Sequence, residues 1–266
     1  MLKVRIIPTL LWKNFSLVKG VSFESWRSVG SVLPAIKVYN SRDVDELFLF
    51  DICGNQGLSD PDFDSIEEFS KHCFVPFTVG GGIRNTRQIQ GLLHVGADKI
   101  SLNTAIFETP KLLEEAAKKF GSQCIVASID FKLVDNEYLC FSHSGTKCTN
   151  RDPIELSREL ESRGAGEILI TSIDRDGTMN GYDIEILKAI SSSVNIPVIA
   201  SGGAGLYEHM WEAIDYGGVS AVAAASMFHF TEQTPQEAKE YLSKRGIAVR
   251  LAYKHQLDAN LNSLAK

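Results

Sequence analysis

Residues 77–104, FTVGGGIRNTRQIQGLLHVGADKISLNT, are echoed at 198–226 by VIASGGAGLYEHMWEAIDYGGVSAVAAAS. Each stretch runs apolar strand, glycine cluster, helical segment, glycine, apolar strand, small residues. The offset is about half of the 266 residues, far beyond the roughly 20–50 residues of a solenoid repeat. Such an echo predicts two similar halves closed into one architecture.

The rest of the chain agrees. Short apolar runs lie at Val4–Leu10, Glu46–Asp51, Pro76–Gly80, Asp98–Asn103, Ile125–Asp130, Glu167–Ser172, Ile196–Ser201 and Ser220–Ser226. Each is nearly continuous, as a strand buried on both faces must be. Helical periods separate them at Pro110–Phe120, Pro153–Arg163, Ile184–Ser193 and Tyr207–Tyr216. Eight such units predict an α/β fold, a single (β/α)8 TIM barrel with half-barrel pseudo-symmetry over residues 1–250. A doubly wound open sheet is the alternative. The polar stretch 251–266 is expected to be a frayed tail. Two segments break the repeat: a long connection at Lys13–Leu33 and a small hairpin at Lys132–Cys148.

Composition narrows the function. The net charge is −6, and no block of Lys or Arg stands out, which disfavours a nucleic-acid partner. No apolar run reaches the ~18 residues of a membrane span, so no membrane association is expected. The five cysteines fall in no paired or metal-binding spacing. That predicts a reduced, cytoplasmic protein with no bound metal and no cofactor.

Two constellations sit at the strand ends where barrels build active sites. Gly80-Gly81-Gly82 and Gly202-Gly203 each follow a strand. Without side chains they let backbone N–H groups approach an anion, and a helix start follows. Asn103-Thr104 and Ala225-Ser226 end the next strand in each half. The duplicated pattern predicts two phosphate sites across one mouth, and so a ligand phosphorylated at both ends; a lone glycine pair would read as a tight turn. The second constellation is acidic: Asp51, Asp130, Asp174 and Asp176. Asp130 closes the apolar run CIVASID, so burial and a raised pKa are expected, with general acid or base work to follow. Asp174 reads equally as a loop or capping residue.

At the opposite strand ends stand Arg5, Glu46, Lys99 and Glu167. Isolated charges beside buried strands are costly. Their alternating signs predict a salt-bridged ring at the barrel's bottom, against four unrelated surface charges. His143, His229, Trp12, Trp26 and Trp211 read as packing or surface residues, and Arg84 and Asn85 as helix-start residues.

These motifs together (FTVGGGIR, GADKISLNT, FGSQ, GAGEILITSIDRDGT-x-x-GYD, IPVIASGGAG and FHF) resemble the cyclase subunit family of imidazole glycerol phosphate synthase, from Met1 to about Arg250. The resemblance implies a barrel that pairs with a glutaminase subunit. Ammonia from glutamine crosses the barrel and attacks a phosphorylated formimino aminoimidazole carboxamide ribonucleotide. The family's phosphate and substrate positions match Asp51, Gly82, Asn103 and Thr104 on one side and Asp176, Gly177, Gly203, Ala225 and Ser226 on the other. Lys19 matches a basic residue of the first loop, and Asp98 a position at the glutaminase docking face. The four-charge ring matches the family's ammonia gate, and Asp130 one of two catalytic aspartates.

One position departs. The family's other aspartate lies in a run like C-L-D-V-K-D-G, where this chain reads Thr9-Leu10-Leu11-Trp12-Lys13-Asn14-Phe15. Leu11 cannot carry a proton. General acid–base catalysis is worth roughly 10²–10⁴-fold, so cyclisation is expected to suffer. The run IPTLLWKN resembles a divergent branch tied to amidination of surface-glycan sugars of the lipopolysaccharide type. That branch implies a further partner, a sugar amidotransferase. The alternatives are a genuine histidine-pathway cyclase and a non-catalytic scaffold that activates the glutaminase.

Overall fold

The structure is a computed structural model and describes residues 3–53 and 60–251. Strand β1 (Arg5–Lys13) rises through the barrel and continues into a ribbon with β2 (Ser16–Val21) and β3 (Glu24–Gly30). Strands β4 (Leu47–Asp51), β5 (Phe77–Gly80) and β6 (Lys99–Leu102) follow. Then β7 (Ile125–Val134) overshoots the barrel and forms a second ribbon with β8 (Glu137–Ser142) and β9 (Lys147–Cys148). Strands β10 (Glu167–Ser172), β11 (Val198–Ser201) and β12 (Ala221–Ala224) complete the set.

Parallel pairing runs β1-β4-β5-β6-β7-β10-β11-β12 and returns from β12 to β1. The sheet therefore closes into a (β/α)8 barrel, and the open doubly wound alternative falls. All eight expected strands are present. The four expected helices appear as Lys111–Phe120, Pro153–Ser162, Ile184–Ser191 and Tyr207–Asp215. The echoed stretches place β5-β6 and β11-β12 on opposite sides of the ring. Each pair ends in a five-residue helix, Thr104–Glu108 or Ser226–Phe230.

Two separate apolar clusters hold this arrangement. The larger lies between the strands and the outer helices. The smaller fills the lumen with Ile7, Phe48, Val126, Leu169, Ile199, Ala221 and Ala223. Alternation along each strand explains the split, since successive side chains point in and out.

The segment Lys13–Leu33 is mostly ribbon rather than a plain loop. Its two-residue turns Asn14-Phe15 and Ser22-Phe23 take positive φ, as tight hairpins require. The expected hairpin at 132–148 forms around Asp135-Asn136, which tolerate that conformation well. At the other end of the chain, Arg250 bonds Asp45 and the carbonyls of Asp43 and Val44. Apart from Leu251, the expected tail lies outside the described residues. Among those residues no helix is long and apolar enough to cross a membrane.

Candidate functional site

The charged ring is assembled from four strand starts. Arg5 Nη1 lies 2.5 Å from Glu46 and 3.0 Å from Glu167. Lys99 Nζ lies 3.0 Å from Glu46 and 3.1 Å from Glu167. Each cation thus bridges both carboxylates. Glu46 is only 1% exposed and also accepts from the Thr78 hydroxyl at 2.8 Å. Burial works against the Arg5 charge, but Glu167 and Glu46 outweigh it and hold the guanidinium pKa up. Asp98, beside Lys99, is exposed on the same face, and its carboxylate accepts from the Phe77 amide at 2.8 Å.

Above the ring stands the apolar lumen, and above that a cavity of about 560 Å³. It is lined by Lys19, Asp51, Gly82, Asn103, Thr104, Asp130, Asp176, Gly177, Gly203, Ala225 and Ser226. Every substrate-side residue implied by the family resemblance therefore reaches one mouth; Asp174, the remaining acid of the strand ends, does not line it, and its carboxylate accepts from the Leu133 amide at 3.1 Å.

Asp130 sits on β7 opposite Thr171 of β10. Asn103 Nδ2 donates to its Oδ2 at 3.1 Å and to the Ser128 carbonyl at the same distance. Burial pushes the Asp130 carboxyl up to about 7; the nearby Asp176 carboxylate adds to the rise and the Thr171 hydroxyl opposes it. A carboxyl so placed can give or take a proton near neutrality.

The glycine loops have the expected form. Gly203 has φ +109°, and a Cβ there would overlap the Gly181 carbonyl oxygen. Only glycine fits. Beside it the Ser226 hydroxyl is buried without a hydrogen-bond partner among the described residues. Orphaned buried hydroxyls are costly, so this one suits a ligand oxygen. On the other side the Thr104 hydroxyl accepts from the His143 amide at 3.1 Å.

Asp176 differs from its phosphate-side neighbours. Its own amide donates to the Ser172 and Ile173 carbonyls. Its carboxylate meets Lys19 Nζ at 2.9 and 2.7 Å. Lys19 stands on β2 and is 2% exposed. The first ribbon is thereby drawn across the mouth, where the Ser22 amide also bonds the Asp176 carbonyl at 2.8 Å.

Some lining residues were not anticipated. Trp26, expected to pack, lines the mouth from β3, as does Phe23 from the ribbon turn. His143 lines it too, with Nε2 at 3.2 Å from Glu108. Trp26, Phe23 and His143 arrive from ribbons, where periodicity gives no guide. Ser128 and Thr171 also face the mouth. A polar residue at every second place of an apolar strand is the signal that could have found these two. His229, by contrast, is a packing residue as expected: burial and Lys19 lower its pKa to about 4. Leu11 lines the same cavity as Asp130, from the end of β1. Among the described residues no cluster of three or more His, Cys, Asp or Glu could hold a metal ion.

Comparison with known proteins follows this geometry. The family described as histidine biosynthesis protein matches residues 5–234. The chain is 47% identical over 251 residues to the imidazole glycerol phosphate synthase subunit HisF of Prosthecochloris aestuarii, covering 94% of this chain and all of that protein. It is 46% identical over the same span to the HisF subunit of Chlorobaculum tepidum, again covering 94% of this chain and all of the relative. The chain belongs to the histidine biosynthesis protein family and, within it, to the family of imidazole glycerol phosphate synthase cyclase subunits.

Proposed function

We propose that this chain is the ammonia-using barrel subunit of a glutamine-dependent synthase. A glutaminase docks on the ring face near Asp98. Ammonia enters among Arg5, Glu46, Lys99 and Glu167, crosses the apolar lumen and meets a phosphorylated acceptor in the mouth. The acceptor's two phosphates rest on the Gly82, Asn103 and Thr104 side and on the Gly177, Gly203, Ala225 and Ser226 side. Asp130 handles protons there. The observation that carries this reading is the closed four-charge ring at one end of a lumen whose other end holds both glycine loops.

The names of the relatives favour synthesis of imidazole glycerol phosphate as the chemistry at the mouth; the family resemblance adds cyclisation with release of an aminoimidazole carboxamide ribonucleotide. A second reading rests on Leu11. A mouth with one aspartate replaced by leucine suits a changed acceptor, a surface-glycan sugar to be amidinated, with a sugar amidotransferase as third partner.

Ammonium-dependent turnover of the histidine-pathway substrate by the purified chain, beside Leu11→Asp, separates the two. The first reading expects turnover by the wild type. The second expects almost none, and a gain toward the roughly 10²–10⁴-fold of a restored acid–base group in Leu11→Asp.

A further inference from the structure

Four carboxylates line the mouth: Asp51, Glu108, Asp130 and Asp176. Their surroundings sort them. Asp51 Oδ1 is bonded to the Cys53 amide at 2.8 Å. Glu108 is half-exposed at the rim and faces His143. Asp176 meets a buried ammonium, that of Lys19, and it follows β10, the strand hydrogen-bonded to the one that carries Asp130. Its electrostatic effect on Asp130 agrees with that proximity.

We propose that Asp176 is the second proton-handling carboxylate of this mouth, working beside Asp130 from one wall, while Leu11 offers the acceptor an apolar rest on the strand across the barrel. The proposal rests on the ammonia-using reading. Pairs of carboxyl groups whose environments differ divide acid from base work. When ammonia adds to an electrophilic carbonyl carbon, the C–N bond forms and the π pair of the carbonyl moves to oxygen. Asp130 in its neutral form gives its proton to that oxygen. The Asp176 carboxylate takes one from the new nitrogen. Asp130 ends ionised and Asp176 protonated, and one proton passing between the neighbours resets the pair. Lys19 ties this carboxylate to the first ribbon, so the base is in place when the ribbon lies across the mouth.

The full chain tests this in four forms: wild type, Asp176→Asn, Leu11→Asp and the double variant. Ammonium-dependent turnover of the histidine-pathway substrate and calorimetric binding of imidazole glycerol phosphate are both measured. The expected result is turnover by the wild type and a kcat loss of roughly 10²–10⁴-fold in Asp176→Asn, with product binding retained. The double variant should then regain at least about tenfold, because Leu11→Asp returns a carboxylate to the mouth. A merely structural role for Asp176 gives the same fold-gain from Leu11→Asp in the wild type and in Asp176→Asn, whereas a shared proton role makes the gain larger in the Asp176→Asn background. Because Asn leaves the buried Lys19 ammonium without its partner, Asp176→Glu is measured as well. It keeps the charge and moves the carboxylate, and should lose kcat without losing product binding. Full kcat in Asp176→Asn or Asp176→Glu, or a gain from Leu11→Asp no larger in the Asp176→Asn background than in the wild type while product still binds, overturns the proposal. A wild type that binds product yet turns nothing over also overturns it and leaves the phosphate-binding mouth standing. Failure of the wild type to bind product sinks the ammonia-using reading beneath it.

Discussion

In the proposed reaction, most of the mouth's chemistry turns on Asp130. Its pKa of about 7 has a consequence for stability as well as for reaction. The unfolded chain releases this proton near pH 4, as ordinary aspartates do at roughly 3.9. The folded chain holds it until about pH 7. Between those values the folded state binds more protons, so raising the pH through this window destabilises it. The wild type should therefore lose more Tm between pH 5 and pH 8 than Asp130→Asn, which has nothing to ionise. Parallel pH–Tm curves for the two proteins would mean that the carboxyl is not held neutral. Leu11 shows the opposite economy. It keeps the packing of β1 intact, pairing with Phe50 and Val18, and changes only what faces the ligand.

The first ribbon shapes the mouth from beyond the barrel strands. It brings Lys19, Phe23 and Trp26 to the mouth, and its seat is tight. Gly177 has φ +77°, and a Cβ there would overlap the Gly20 carbonyl oxygen. On the far side the Arg27 guanidinium lies 3.9 Å over the Phe230 ring. Gly177→Ala should thus strain the loop after β10 and lift the ribbon. The expected cost is about 1–3 kcal/mol in urea unfolding. Amide exchange over Ser16–Gly30 should rise in parallel. A ribbon equally protected in the variant would show that it seats without this contact.

In the molecule as a whole, two ends of one barrel do different work. The ring at the bottom holds four charges in contact around the buried Glu46, and removing one partner of a buried charge is costly. Arg5→Ala leaves Glu46 with the Lys99 ammonium and the Thr78 hydroxyl and opens the ring. In the proposed complex with a glutaminase, the ratio of product formed to glutamine hydrolysed should fall below that of the wild type, while turnover on added ammonium salts changes little. An unchanged ratio would separate the ring from ammonia passage. The lumen between the ends is lined mostly by Ile7, Phe48, Val126, Leu169 and Ile199, so nothing charged competes with a small neutral guest on the way up.

The barrel was legible in the chain because strand burial is a local property. A strand covered on both faces must be apolar along its length, and the half-chain echo says that two such sets are alike. The glycine loops were legible in part for the same reason, since the positive φ of Gly203 is local, although the Gly181 oxygen that also excludes a Cβ there comes from another loop. Asp130 stood out as an acid closing the apolar run CIVASID. The ring was legible only as four charges of alternating sign at strand starts; that they meet within 2.5–3.1 Å depends on closure of the barrel. The partner of Lys19 was beyond reach, because Asp176 lies 157 residues away and is brought near only when β10 stands beside the ribbon. Trp26 and His143 were read as packing or surface residues, since ribbons that leave a barrel carry no periodicity to say which way a side chain faces. Local pattern records what a segment must bury, whereas the company a buried charge keeps is set by which segments the folded chain brings together.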